Sequence, residues 1–142
     1  MRIYFAGAIR GGREYQEIYR KIISHLKIYG NVLTEHVSDK NITDLGEYSI
    51  PDNEIYERDM KLLEEADLLV AEVSLPSLGV GYEIGIAEGM NKKIICLYDK
   101  NSEKRLSAMI AGNPKIKLIV YENLDELKRK IDEILEKMNS RK

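Results

Sequence analysis

Five short apolar runs, separated by segments whose apolar residues recur every three or four positions, predict an α/β domain built on a parallel sheet buried on both faces. Right-handed crossovers then lay helices on each side of that sheet. The expected arrangement is a flavodoxin-like three-layer sandwich with strand order 2-1-3-4-5. Length supports one such domain over residues 1–142, because 142 residues, 44% of them hydrophobic, fill one core and leave little for a second.

The first strand is the apolar run at residues 3–7, which stops at glycine; a turn-rich basic loop follows at residues 8–13. Between residues 14 and 29, Tyr15, Ile18, Tyr19, Ile22, Ile23 and Leu26 recur at helical spacing, and Gly30 supplies the stop. Residues 31–35 read as the second strand. Residues 36–49 are polar and carry no sustained period, a connection long enough to be more often functional or mobile than idle. Pro51 and Asp52 open a second helix, where Ile55, Asp59, Leu62 and Ala66 share a stripe beside Tyr56, Met60 and Leu63. An acid thus stands on an apolar face. Residues 67–73 form a third strand broken only by Glu72, and a third helix runs over residues 80–91. A fourth strand (93–98), a short helix (105–111) ending at Gly112, a fifth strand (115–121) and an amphipathic helix (125–138) complete the chain.

Charge and cysteine content exclude several functions. The formal net charge of −2 lacks the basic excess that a nucleic-acid polymer requires, so a small ligand is expected. Cys96 is the only cysteine, which rules out a disulfide within the chain and a cluster of thiolate ligands, and its place among Ile94, Ile95 and Leu97 reads as burial. No apolar stretch approaches the roughly 18 residues of a membrane span, and the first residues are too short a run for a signal peptide. A cytoplasmic protein without membrane partners is expected.

In a parallel sheet of this order the ligand lies beyond the carboxyl ends of the strands, at the switch point between strands one and three. Two loops meet there. In the first, Gly7, Gly11 and Gly12 let the backbone approach a phosphate, and Arg10 and Arg13 can pair with its oxygens. The pattern is neither a Rossmann fingerprint nor a P-loop, and it equally describes a surface loop with solvated arginines. In the second, Pro76-Ser77-Leu78-Gly79-Val80-Gly81-Tyr82-Glu83, the acid is expected in the first turn of the third helix, where the dipole favours a carboxylate and where ordinary capping also places one. Gly79 and Gly81 permit close approach, and Ser77 offers a hydroxyl to a phosphate.

Asp59 is costly on an inward stripe unless Arg10, Arg13 or Arg58 pairs with it or it is put to use. If Asp59 and Glu83 face one pocket, they form the carboxylate pair that cleavage of a glycosidic bond requires. Tyr4 fits either core or site. His36 stands beyond the second strand with no His or Cys spaced to share a metal, so no metal site is expected. Ser107, Ala108 and Met109 on the short helix read as packing.

Taken together, Tyr4-Phe5-Ala6-Gly7-Ala8-Ile9-Arg10-Gly11-Gly12-Arg13, Leu33-Thr34-Glu35-His36-Val37, Ala71-Glu72-Val73, the segment from Pro76 to Glu83, and Leu106-Ser107-Ala108-Met109-Ile110 resemble the 2′-deoxynucleoside 5′-monophosphate N-glycosidases known as Rcl proteins. These belong to the nucleoside 2-deoxyribosyltransferase superfamily, and the resemblance runs from Ile3 to about Gly112. It implies hydrolysis of the N-glycosidic bond of (2′-deoxy)nucleoside 5′-monophosphates to free base and 5-phospho-(2-deoxy)ribose, without metal or organic cofactor. Glu83 matches the nucleophile that carries the covalent intermediate, Asp59 the second catalytic acid and Tyr4 an active-site tyrosine. Residues 7–13 and Ser77 match the cradle of the 5′-phosphate, while His36 and Tyr19 match positions lining the pocket. Gly79 lies in the same matched segment. Ser107, Ala108 and Met109 match a segment that reaches the phosphate of the neighbouring subunit, which implies a homodimer with composite sites. Ala8 departs from the pattern, standing where the mammalian members place a serine that helps to bind phosphate. Two other readings share the residues: base exchange, as in a nucleoside 2-deoxyribosyltransferase, and a nucleotide-binding module that turns nothing over.

Overall fold

Alternation with a period of two divides the strand residues between two cores. In β1 (Arg2–Ala6), Ile3 and Phe5 enter one cluster and Tyr4 and Ala6 the other. In β3 (Leu68–Glu72), Leu68 and Val70 oppose Leu69 and Ala71; in β4 (Lys93–Asp99), Ile95 and Leu97 oppose Ile94 and Cys96. This is a computed structural model, and it describes residues 1–9, 15–34 and 50–140.

Helices α1 (Gln16–Leu26) and α5 (Leu124–Ser140) cover the first face with Tyr19, Ile22, Leu26, Leu127, Ile131 and Leu135. The second face is covered by α2 (Asp52–Glu65), α3 (Leu78–Gly89) and the short α4 (Ala108–Ala111), which supply Leu63, Val80, Ile84, Ala87 and the half-buried Ile110. Each wholly buried Leu or Ile contributes about 1.5–3 kcal/mol. Truncating Leu69, fully enclosed at the centre of the sheet, would cost about 2–5 kcal/mol.

With β2 (Asn31–Val32) and β5 (Ile116–Tyr121), the strands form one sheet in the order β2-β1-β3-β4-β5, every pair parallel. This is the flavodoxin-like sandwich that the alternation predicts. Registers Ile3↔Leu68 to Ala6↔Ala71 set the carboxyl ends of β1 and β3 side by side. From β1 the chain crosses one face to β2; from β3 it crosses the other face to β4. A crevice therefore opens between the two strand ends.

Several boundaries differ from expectation, each for a local reason. β2 ends at Val32 rather than at residue 35, because the Thr34 hydroxyl accepts from the Phe5 N–H and donates to the Phe5 carbonyl, both at 2.7 Å, in place of the ladder. The helix expected from residue 105 begins at Ala108, since Ser107 Oγ caps the Met109 N–H at 3.2 Å. α1 gives way at residues 27–29 to tighter turns, with Ile28 N–H bonded to the His25 carbonyl and Tyr29 N–H to that of Leu26. Gly30 is required by space: a Cβ there would lie 2.1 Å from the Met1 carbonyl oxygen. Cys96 is buried as expected, and burial pushes its thiol up to about 12.

Candidate active site

α3 places the first acid. Pro76 precedes Ser77, whose hydroxyl oxygen accepts the Val80 N–H at 3.2 Å, so Ser77 is the N-cap and the helix starts at Leu78. Glu83 consequently lies in the second turn and not, as the sequence suggests, in the first. The helix dipole fades within the first turn and does not hold this carboxyl ionised. Burial dominates and pushes the Glu83 carboxyl up to about 7; the charge of Asp59 adds to this, while the Tyr4 hydrogen bond and the Arg58 guanidinium oppose it.

β1 supplies the partner. Tyr4 is wholly buried on the α2/α3 face, and its hydroxyl donates to Glu83 Oε2. Tyr4 thus belongs to the core and also touches the acid that faces the cavity. Burial, together with the negative charges of Glu83 and Asp59, pushes its phenol well above the ordinary value of 10, so the hydroxyl keeps its proton and remains a donor.

α2 supplies the second acid from the facing wall. Asp59 is half-buried, and Arg58 Nε donates to its Oδ1 at 2.9 Å. Of the three arginines that the sequence offers as partners, Arg58 is the one seen here; Arg10 and Arg13 lie outside the described residues.

A cavity of about 670 Å³ opens between these walls, and Gly7, Ile9, Asp59, Ser77, Gly79 and Glu83 all line it. Predicted residues from three separate stretches of chain meet at one place. Gly7 forms floor, and a Cβ there would stand 2.9 Å from the Tyr19 ring. Tyr19 does not line the cavity: it is buried beneath the floor, and its hydroxyl accepts the Ala8 N–H at 3.1 Å. Ala8 is itself buried, with its amide committed to Tyr19, so neither its side chain nor its N–H faces a ligand. Ser107, Ala108 and Met109 also stand outside the cavity lining, and Met109 is 82% exposed, which corrects the reading of that segment as packing. Arg10, Gly11, Gly12, Arg13 and His36 fall outside the described residues. No helix among the described residues is long and apolar enough to cross a membrane.

A third acid is more deeply enclosed than either of these. Glu72, at the end of β3, is wholly buried; its Oε1 accepts the Ser74 N–H at 2.8 Å, and its Oε2 accepts the Ser74 hydroxyl at 2.7 Å and the Tyr121 hydroxyl at 2.5 Å. Ser74 Oγ accepts the Asp99 N–H at 2.8 Å, and Asp99 Oδ2 accepts the Tyr15 hydroxyl at 3.0 Å. Burial raises the Glu72 carboxyl above its ordinary value, against the pull of those three donors. Sequence reasoning passed over this network; its one visible signal was a glutamate inside an apolar strand.

Comparison with known proteins places this geometry among nucleotide-processing enzymes. The sequence profile of the family described as nucleoside 2-deoxyribosyltransferase matches residues 3–133. The chain is 48% identical over 139 residues to the 5-hydroxymethyl-dUMP N-hydrolase of Danio rerio, covering 96% of each protein. It is 52% identical over 114 residues to the protein of the same name from Esox lucius, covering 79% of each. Among solved structures, the Clostridium botulinum CMP N-glycosidase superposes with a TM-score of 0.68 over 94% of this chain and 99% of that one; at 22% identity the likeness is one of fold.

Proposed function

The chain belongs to the nucleoside 2-deoxyribosyltransferase family, and from that membership we propose that it hydrolyses the N-glycosidic bond of (2′-deoxy)nucleoside 5′-monophosphates, yielding free base and 5-phospho-(2-deoxy)ribose. One observation carries the reading: a buried glutamate, gripped by a tyrosine on one oxygen, faces a cavity across from a second carboxylate. The relatives named 5-hydroxymethyl-dUMP N-hydrolases support a nucleoside monophosphate as substrate.

Glu83 is the nucleophile. Tyr4 holds Oε2 and leaves Oε1 to attack C1′, forming a C–O bond as the C1′–N bond breaks and its electron pair leaves with the base. A proton supplied through Asp59 neutralises that base, and water then hydrolyses the sugar ester. A carboxyl near 7 is half ionised at neutral pH, hence competent as a nucleophile while little stabilised in the ground state. Ser77, Gly7, Ile9 and Gly79 line the same cavity as Glu83; in this reading they hold the 5′-phosphate, a grip that supplies binding energy remote from the reacting carbon. Arg10 and Arg13 are assigned to the same phosphate by resemblance.

Two copies complete each site in this reading. The exposed segment of Ser107, Ala108 and Met109 suits a role on the phosphate of a neighbouring copy better than any role in its own cavity. A cytoplasmic setting fits this reading, since nucleoside monophosphates are water-soluble metabolites. Chromatography of deoxy- and ribonucleoside monophosphates, 5-hydroxymethyl-dUMP among them, after incubation with the protein tests the assignment. Free base is expected from wild type and not from Glu83→Ala; a Glu83→Ala protein of near wild-type rate overturns it.

A further inference from the structure

Ser74 is bonded at every polar atom it has. Its N–H and hydroxyl donate to Glu72 at 2.8 and 2.7 Å, its Oγ accepts from Asp99 N–H at 2.8 Å, and its carbonyl accepts from Ser102 Oγ at 2.8 Å. Three residues further on, Ser77 caps α3. Between them the chain has one proline, Pro76, whose ring fixes φ. So short and stiff a link transmits the orientation of Ser74 to the start of the helix that carries Glu83.

A carboxyl taken wholly out of water is costly, and an apolar cluster replacing Glu72 together with the hydroxyls it binds would fill the end of β3 without that cost. What the carboxyl adds is direction: two oxygens receive three donors from Ser74 and from Tyr121 on β5. We propose that Glu72 is a positioning residue for the glycosidic reaction: through Ser74 it clamps the turn at residues 74–77, and so sets where Glu83 meets Tyr4 and the cavity. For its kinetics the proposal rests on the function proposed above; its spectroscopic readout does not.

Ser74→Ala removes one hydroxyl and leaves Glu72 its bonds from the Ser74 N–H and Tyr121. The variant is expected to unfold cooperatively at a somewhat lower temperature. Its kcat is expected to fall about tenfold or more, as a small misplacement of a reacting group does. In carbon-13 NMR of labelled glutamate, the Glu83 midpoint is expected to move by about half a pH unit or more, because Tyr4 from β1 and Asp59 and Arg58 from α2 then face it at altered distances. Ser74→Thr, which keeps a hydroxyl at the same place, restores both readouts. Asp132→Asn is the control for stability alone: on the opposite face of the sheet Asp132 binds His25 at 2.7 Å and Tyr29 at 2.5 Å, and its loss lowers the melting temperature without touching kcat or the Glu83 midpoint. If Ser74→Ala behaves like Asp132→Asn, Glu72 is a brace of the fold and the proposal is overturned. If wild type releases no base from any nucleotide, the glycosidic reading fails, and the Glu83 midpoint alone decides the positioning role.

Discussion

Glu72 and Glu83 stand on either side of the turn in one strand–turn–helix unit, both withdrawn from water, each bonded to a tyrosine hydroxyl from another strand. Glu72 is enclosed completely and takes three hydrogen bonds from two residues. Glu83 takes one, from Tyr4 among the described residues; it faces a cavity and has a second acid near enough to raise it further. Burial pushes both carboxyls up, so burial by itself does not mark the reactive acid. The mark is an acid supplied with fewer donors than its oxygens accept and left open on one side. A saturated carboxyl holds structure in place; an unsaturated one holds reactivity.

The contrast breaks most directly at Glu83. Glu83→Gln keeps the shape and removes the nucleophile, and base release is expected to fall about a thousandfold or more; retention of a tenth of the wild-type rate would erase the distinction between the acids. The next largest effect is on folding. Glu72→Leu strands the Ser74 N–H, the Ser74 hydroxyl and the Tyr121 hydroxyl in the interior, at a cost of about 3 kcal/mol or more in urea denaturation. Among the described residues the same replacement at Glu83 strands Tyr4 alone, and it is expected to cost less above pH 7, where it also relieves a buried charge.

pH sharpens the comparison further. Glu83 titrates near 7 folded against an ordinary 4.5, so the native state binds more protons across that window and its stability falls as pH rises through it. The stabilisation is fully present below pH 4.5 and is lost above 7, a change on the order of 3 kcal/mol at pH 8. Glu83→Gln lacks that slope, and thermal melts from pH 5 to 8 should show the variant gaining on wild type. The smallest effect belongs to Tyr4→Phe. Removing the bond that lowers the Glu83 carboxyl moves the acid limb of kcat/KM from near 7 to higher pH, and a limb that stays in place would mean that the phenol does not govern the nucleophile.

The three-layer sandwich was legible because β1, β3 and β4 are apolar runs that require two covered faces, and helical stripes stand between them; the order 2-1-3-4-5 is the flavodoxin-like choice for such a chain. Asp59 was legible as an acid on an apolar stripe, and Gly7, Ser77, Gly79 and Glu83 as groups beside strand ends. The turn in which Glu83 lies was not, because the start of α3 depends on the Ser77 hydroxyl reaching Val80 N–H, a contact no periodicity reports. The Glu72 network was hidden for a different reason. Its members come from the ends of β3, β4 and β5 and from the start of α1, with Tyr121 separated by 49 positions from Glu72 and Tyr15 by 84 from Asp99. Only the folded sheet makes them neighbours.

Gly7 has a consequence for how this site can diverge. With Tyr19 2.9 Å from any side-chain carbon placed there, the cavity floor and the inner core are a single surface. A wider or narrower substrate cannot be accommodated from below without rebuilding α1. The free variable is the α2 wall, where Ile55, Tyr56 and Met60 face the cavity and of these only Met60 packs against a core cluster. Drift in base preference among descendants of this chain should therefore collect on α2, while positions 7 and 19 change together or not at all.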